Sequence, residues 1–74
     1  MIDASGLYVI PGLIDIHFHG CMGYDFCDAS HEAISEMAKY QLQNGITAIC
    51  PASMTLDVEH LKDIFRCAAS YRDN

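Results

Sequence analysis

The sequence is poor in basic residues. Only 4 Lys+Arg oppose 10 Asp+Glu among the 74 residues, which gives a formal net charge of −6 at pH 7 with neutral histidines. A polyanion repels such a chain, so the composition argues against a nucleic-acid-binding module. Intrinsic disorder is excluded as well, because hydrophobic residues make up 51% of the chain and disordered segments have low hydrophobicity.

Long apolar runs and targeting signals are also missing. No run of about 18 apolar residues occurs, so we expect no membrane-spanning helix and no membrane partner. The segment Met1–Gly6 lacks the basic start and apolar core of a secretory signal peptide, which predicts a cytoplasmic protein.

The four cysteines form no Cys-x-x-Cys pair, so the commonest zinc-ribbon and thioredoxin signatures are absent. In the cytoplasm we expect them to remain reduced thiols. Cys50 and Cys67 lie inside apolar patterns and are predicted to be small buried hydrophobes. Cys21, which follows two histidines, stays open as a candidate metal ligand.

What the chain does contain is an alternation of strand and helix patterns. The predicted elements are strands at residues 13–19 and 46–50 and helices at residues 30–43 and 56–71. A further β-prone segment is Leu7–Ile10, and Ser30 and Thr55 are the predicted helix N-caps. Alternating strands and helices predict an α/β fold with parallel strands. Two such strands leave both sheet edges open, so we expect the fold to be incomplete alone.

Each predicted helix carries an apolar stripe at helical spacing. The stripe of the first helix consists of Ala33, Ile34, Met37, Ala38 and Leu42. The stripe of the second consists of Val58, Leu61, Ile64, Phe65, Ala68 and Tyr71. We expect these residues to form the core.

The motif that points to chemistry is His17-Phe18-His19. Strand side chains alternate, so His17 and His19 share a face with Cα atoms ~6.6 Å apart, close enough for both imidazoles to bind one metal ion. Imidazole suits zinc, iron, cobalt and nickel. The pair ends a predicted parallel strand, where α/β proteins place their ligands. From the residues alone, two hydrogen-bonded histidines without a ligand remain the alternative.

Four residues near the pair are further candidates. Asp15 is predicted on the same strand face, where it could orient an imidazole or cap backbone amides instead. Gly20 and Gly23 could let a loop approach a substrate, or simply adopt positive φ. Asp25 could contact substrate, and a turn or cap is its alternative role.

The run from Tyr8 to Gly20, which reads YVIPGLIDIHFHG, resembles the first-strand signature of the amidohydrolase superfamily. These proteins are metal-dependent hydrolases on a (β/α)8 barrel of the TIM type. The resemblance implies that His17 and His19 bind a catalytic divalent metal ion, with zinc, iron and cobalt as options. It makes residues 1–12 the end of a small β-domain and residues 13–74 the first two βα units of the barrel.

Two later segments resemble N-acetylglucosamine-6-phosphate deacetylases. Gly20–Phe26 is similar to their glycine-rich loop, and Gly45–Thr55 is similar to their second barrel strand and the loop after it. The implied reaction converts N-acetylglucosamine 6-phosphate into glucosamine 6-phosphate and acetate, in an enzyme that is a homodimer when intact. The family's other metal ligands (a Glu and two His) and its catalytic Asp have no counterpart here. We therefore expect a fragment that contains no catalytic residue and is inactive alone.

Two other hypotheses remain open. The chain could belong to an amidohydrolase with another substrate class, for example a dihydroorotase-like or deaminase-like enzyme. It could instead be a small non-catalytic metal-binding or interaction protein. That second hypothesis predicts a folded chain that binds metal through His17 and His19, with Cys21 as a third ligand.

Overall fold

The computed structural model describes residues 1–74 as an α/β unit. Its elements in chain order are β1 (Leu13–Phe18), β2 (Gly20–Cys21), β3 (Tyr24–Asp25), a 3₁₀ turn (Phe26–Asp28), α1 (His31–Gln43), β4 (Ile46–Pro51) and α2 (Val58–Asp73). The strands β1 and β4 pair in parallel, and β2 and β3 pair in antiparallel fashion. The predicted α/β class with a parallel sheet is confirmed. Neither helix is long and apolar enough to cross a membrane.

The loop predicted after the first strand contains a small hairpin. Its strands β2 and β3 are joined at Met22 and Gly23, which both have positive φ, at 58° and 79°. Two consecutive residues of positive φ match the twist of a two-residue hairpin turn, and glycine adopts that conformation without steric cost. The hairpin follows the end of β1, which stops at Phe18 and leaves His19 between the strands.

The β-prone segment Leu7–Ile10 forms no strand. A turn leads into this segment. It is closed by the Leu7 N–H, which donates to the Ala4 carbonyl at 3.0 Å, and Gly6 within it has a φ of 76°. Side chains such as Tyr8 and Val9 are exposed. A strand needs a neighbouring strand for its backbone groups, and none pairs with this segment.

The core lies between the two helices and the turn after β3. Its fully or nearly buried members are Phe26, Ala33, Ile34, Met37 and Ile64. The stripe of α1 departs from prediction at its end, because Gln41 is only 8% exposed and Leu42 is 63% exposed. Gln41 lies four residues after Met37 and therefore continues the buried face, whereas Leu42 is turned away from it.

In α2, Ile64 is fully buried, and Leu61, Ala68 and Tyr71 pack against the core. Val58 and Phe65 flank this stripe and are exposed, so their predicted burial is wrong.

The predicted burial of Cys50 on β4 is also wrong, because its side chain is exposed, while Cys67 packs against the core. Three apolar residues of β1 are exposed as well, namely Leu13, Ile14 and Ile16. The sheet has only two strands, so the helices cover part of its surface and leave the rest open.

One of the two predicted helix caps is confirmed, and the other is wrong. Ser30 caps α1 as predicted, with its side chain accepting the Ala33 N–H at 3.0 Å. The N-cap of α2 is Asp57 and not Thr55, because the helix begins only at Val58. One Asp57 carboxylate oxygen accepts the His60 N–H at 3.2 Å.

We predict that Asp57→Ala lowers the free energy of unfolding by about 1 kcal/mol, the usual effect of removing an N-cap side chain. Thr55→Ala is the matched control, because Thr55 was the other candidate cap and is exposed. We expect it to leave the stability unchanged. Urea denaturation followed by circular dichroism measures both variants. A larger loss for Thr55→Ala than for Asp57→Ala would contradict the assigned cap.

Candidate metal centre

The imidazoles of His17 and His19 meet at the end of β1. Their Nε2 atoms are 3.2 Å apart. The ring centroids lie 4.9 Å apart, with an angle of 85° between the ring planes. His17 is exposed and His19 is partly buried. The structure therefore brings together the two side chains that the motif singled out.

The orientation of the His19 ring is set by Ala52, the residue that follows β4. His19 Nδ1 lies 2.8 Å from the Ala52 carbonyl oxygen. A carbonyl can only accept, so Nδ1 carries the proton and donates it. In the neutral ring the lone pair is then on Nε2, the atom that faces His17. The Ala52 contact was missed at the sequence level, because a backbone carbonyl carries no side-chain signal.

This geometry fits a divalent metal ion. At a typical Zn–N distance of about 2.0–2.1 Å, two nitrogens at a tetrahedral angle would be ~3.3 Å apart. The observed Nε2 separation is 3.2 Å. No group of three or more His, Cys, Asp or Glu side chains surrounds them. The chain thus offers two imidazole ligands at this position.

Asp15 is directed toward α1 and not toward the imidazoles. Its Oδ1 accepts the backbone N–H of His17 at 3.1 Å, and its Oδ2 accepts the side-chain N–H of Gln41 at 2.9 Å. Of the two roles that the sequence left open for Asp15, orienting an imidazole stays a prediction. Its alternative role, capping a backbone amide, is the one the structure shows.

The strand alternation breaks just after Asp15. Asp15 is paired with Ile49 and Phe18 with Pro51, so the register between β1 and β4 shifts between these positions. A bulge of this kind bends the strand and changes where the following side chains point.

Cys21 also faces α1. Its Sγ lies 4.0 Å from the Met37 carbonyl oxygen. Burial, and then the negative charge of Asp15, raise the pKa of the Cys21 thiol. Its position beside Met37, outside any cluster of three potential metal ligands, argues against Cys21 as a third ligand.

The three loop candidates have local roles in the hairpin and the 3₁₀ turn. A Cβ on Gly20 would collide with the Tyr24 carbonyl oxygen, and Gly23 has a positive φ. Asp25 is the N-cap of the 3₁₀ turn, where its Oδ1 accepts the Cys27 N–H at 2.7 Å. The cap role that was open for Asp25 is confirmed, and a substrate contact from this loop stays a prediction.

Cys27 connects the loops that follow β1 and β4. The Met54 N–H donates to the Cys27 sulfur at 3.2 Å. His60 Nε2 lies 3.1 Å from the Cys27 carbonyl oxygen. No pattern in the sequence indicated these contacts, which join the 3₁₀ turn to the segment after β4 and to α2.

The sequence model of the amidohydrolase family matches residues 8–72. The chain belongs to the amidohydrolase family. The match contains β1, both histidines, β4 and nearly all of α2. The superfamily resemblance of the first strand is confirmed.

Individual relatives indicate which members of the family this chain resembles. The chain is 37% identical over 54 residues to the N-acetylglucosamine-6-phosphate deacetylase of Vibrio furnissii, a match that covers 73% of this chain and 14% of the relative. It is 33% identical over 60 residues to the enzyme of the same name from Bos taurus, covering 77% of this chain and 15% of the relative. The chain thus spans about a seventh of the length of these relatives. No solved structure matches it.

A second group of relatives carries another name. The chain is 43% identical over 47 residues to adenine deaminase 1 of Oenococcus oeni, covering 64% of this chain and 7% of the relative. The similarity to the deacetylases extends over a larger part of the chain.

Proposed function

We propose that this chain contributes two ligands to the metal centre of an amide hydrolase that acts on N-acetylglucosamine 6-phosphate. The products would be glucosamine 6-phosphate and acetate. The observation that carries the proposal is the His17–His19 pair, with Nε2 atoms 3.2 Å apart, inside a segment that matches the amidohydrolase family. The names of the Vibrio furnissii and Bos taurus relatives support the substrate.

In this proposal a bound divalent cation supplies Lewis acidity toward the amide carbonyl and lowers the pKa of water. The chain's own residues hold the ligands in place. The Ala52 carbonyl keeps the His19 Nδ1 protonated, so that its Nε2 lone pair is free to bind. Asp15 fixes the backbone at His17.

We further propose that β1 and β4 are the first two strands of a (β/α)8 barrel, with residues 1–12 leading into it from a small β-domain. The parallel pairing of these strands around α1 supports this arrangement. The exposed apolar side chains of β1 are suited to contacts with further barrel elements. We propose a cytoplasmic homodimer as the intact enzyme, and no deacetylation by these 74 residues alone.

The test starts from the polypeptide as it occurs in cells, captured with an antibody and sized by intact mass spectrometry. Acetate release from N-acetylglucosamine 6-phosphate is then measured on that polypeptide and on the purified 74-residue chain. We expect a larger polypeptide whose acetate release requires a divalent metal ion, and no release by the short chain. Metal-independent release, or none from the larger polypeptide, would contradict the proposal.

Adenine deamination is the second candidate. It rests on the 43% identity to adenine deaminase 1 of Oenococcus oeni. Ammonia release from adenine, measured on the same preparation, distinguishes the two. Ammonia without acetate would make the chain part of a deaminase, with the histidine pair keeping its metal-binding role.

A further inference from the structure

Gln41 is a buried polar residue on the face of α1 that otherwise contributes Ala33, Ile34 and Met37 to the core. Burying an amide costs free energy unless its groups find hydrogen-bond partners. The Gln41 Nε2 donates to Asp15 Oδ2 at 2.9 Å. A buried polar group at an otherwise apolar helix position is therefore used to hold one specific carboxylate.

The same carboxylate also contacts the backbone of His17, one of the two candidate metal ligands. Asp15 Oδ1 accepts the backbone N–H of His17 at 3.1 Å. The contacts thus run from the Gln41 side chain through both oxygens of Asp15 to the backbone that carries the His17 ring. Both hydrogen bonds involve a charged acceptor, which makes them stronger than bonds between neutral groups.

These contacts lie at the register shift between β1 and β4. Between Asp15 and Phe18 the chain departs from regular pairing, and His17 is inside this segment. Bulges leave backbone groups without ladder partners and redirect side chains, often beside functional sites. By accepting the His17 N–H, the Asp15 carboxylate fixes the backbone inside the bulge, where regular strand pairing does not.

We infer that Gln41 is a positioning residue for the metal centre: through Asp15 it holds the bulge that aims His17 at His19. Gln41 touches neither imidazole, and its effect passes through the carboxylate and the His17 backbone. The inference rests on the proposed metal site and adds to it a residue from the core of α1.

The test compares Gln41→Leu with Gln43→Leu in the purified intact polypeptide. The two positions lie on the same helix and undergo the same chemical change, but Gln43 is exposed. Affinity is measured by Co²⁺ titration followed by visible absorption. Hydrogen exchange of the His17 backbone amide is measured by NMR without metal. We expect Gln41→Leu to weaken Co²⁺ binding by about 10–100-fold, the usual effect of losing a group that orients a metal ligand. It should also accelerate the amide exchange, and Gln43→Leu should change neither quantity.

A conservative variant separates geometry from charge. Asp15→Asn keeps an oxygen for the His17 N–H, and a flipped Gln41 amide can accept from the new NH₂ group. We expect it to retain most of the Co²⁺ affinity that Gln41→Leu loses. If Gln41→Leu fails to fold by circular dichroism, Gln41→Met takes its place, because methionine fills irregular core space well.

The outcomes distinguish this inference from the proposed function. Wild-type affinity and unchanged His17 exchange in Gln41→Leu would overturn the inference and leave the metal site intact. If the wild-type protein and His17→Ala bind Co²⁺ equally, the proposed metal site fails. The metal-free exchange of the His17 amide then decides on its own whether Gln41 holds this backbone.

Discussion

Alanine at His17 or His19 is expected to reduce metal-dependent hydrolysis by the intact polypeptide roughly a thousandfold or more. A bound cation contributes several kcal/mol of transition-state stabilisation, and each 1.36 kcal/mol corresponds to a tenfold change in rate. With one imidazole removed, the pair whose Nε2 atoms lie 3.2 Å apart no longer exists. The measurement is acetate release together with the metal content of the purified variants.

His31→Ala is the matched control for these substitutions. His31 begins α1, and its exposed ring stands edge-on to Tyr71, with ring centroids 5.8 Å apart. We expect His31→Ala to keep both metal content and activity. Removal of the metal by a chelator should abolish the activity, and added divalent metal should restore it. An active, metal-loaded His17→Ala protein would show that the pair is not the metal centre.

Ile64→Ala is expected to destabilise the chain by about 2–5 kcal/mol, the range for deleting buried methyl and methylene groups. Ile64 is 0% exposed and belongs to the core cluster with Phe26, Ile34 and Met37. A chain of this size buries only ~60% of its unfolded surface, so its margin of stability is small. The loss should therefore remove the cooperative unfolding transition or shift it to much lower urea concentrations.

The next residue along α2 provides the control. Phe65 has the larger side chain but is 55% exposed. We expect Phe65→Ala to change the free energy of unfolding by roughly 0.5 kcal/mol, as is common for substitutions away from the core. Both variants are measured by urea denaturation followed by circular dichroism. Equal losses at the two positions would mean that α2 is rotated about its axis relative to the arrangement described above.

The parts of this structure that follow local rules could be predicted from the sequence. The alternation of apolar periods predicted the parallel strands and both helices. Ser30 was recognisable as an N-cap because its hydroxyl precedes a helical stripe. The His-x-His spacing predicted two converging imidazoles, although His19 lies just beyond the strand.

The parts that depend on pairing register could not be predicted. Strict alternation predicts that Asp15 lies with the imidazoles, but the register of β1 and β4 shifts between Asp15 and Phe18, and the Asp15 carboxylate accepts a hydrogen bond from Gln41 on α1. A glutamine in an amphipathic helix is normally counted with the polar face, so nothing local marked Gln41 as buried. Thr55 and Asp57 are both good N-caps, and the path of the loop from β4 decides between them.

If the proposed metal site is correct, the hydrogen bond from His19 Nδ1 to the Ala52 carbonyl also links metal affinity to the folding equilibrium. The two residues are separated by 33 positions, so this contact exists only after β4 has docked beside β1. An unfolded chain holds the same two imidazoles without this control of tautomer and ring orientation. A cation that prefers the folded arrangement raises its population by mass action. Under the proposed function, metal binding at the histidine pair would therefore stabilise the folded β1–α1–β4 unit.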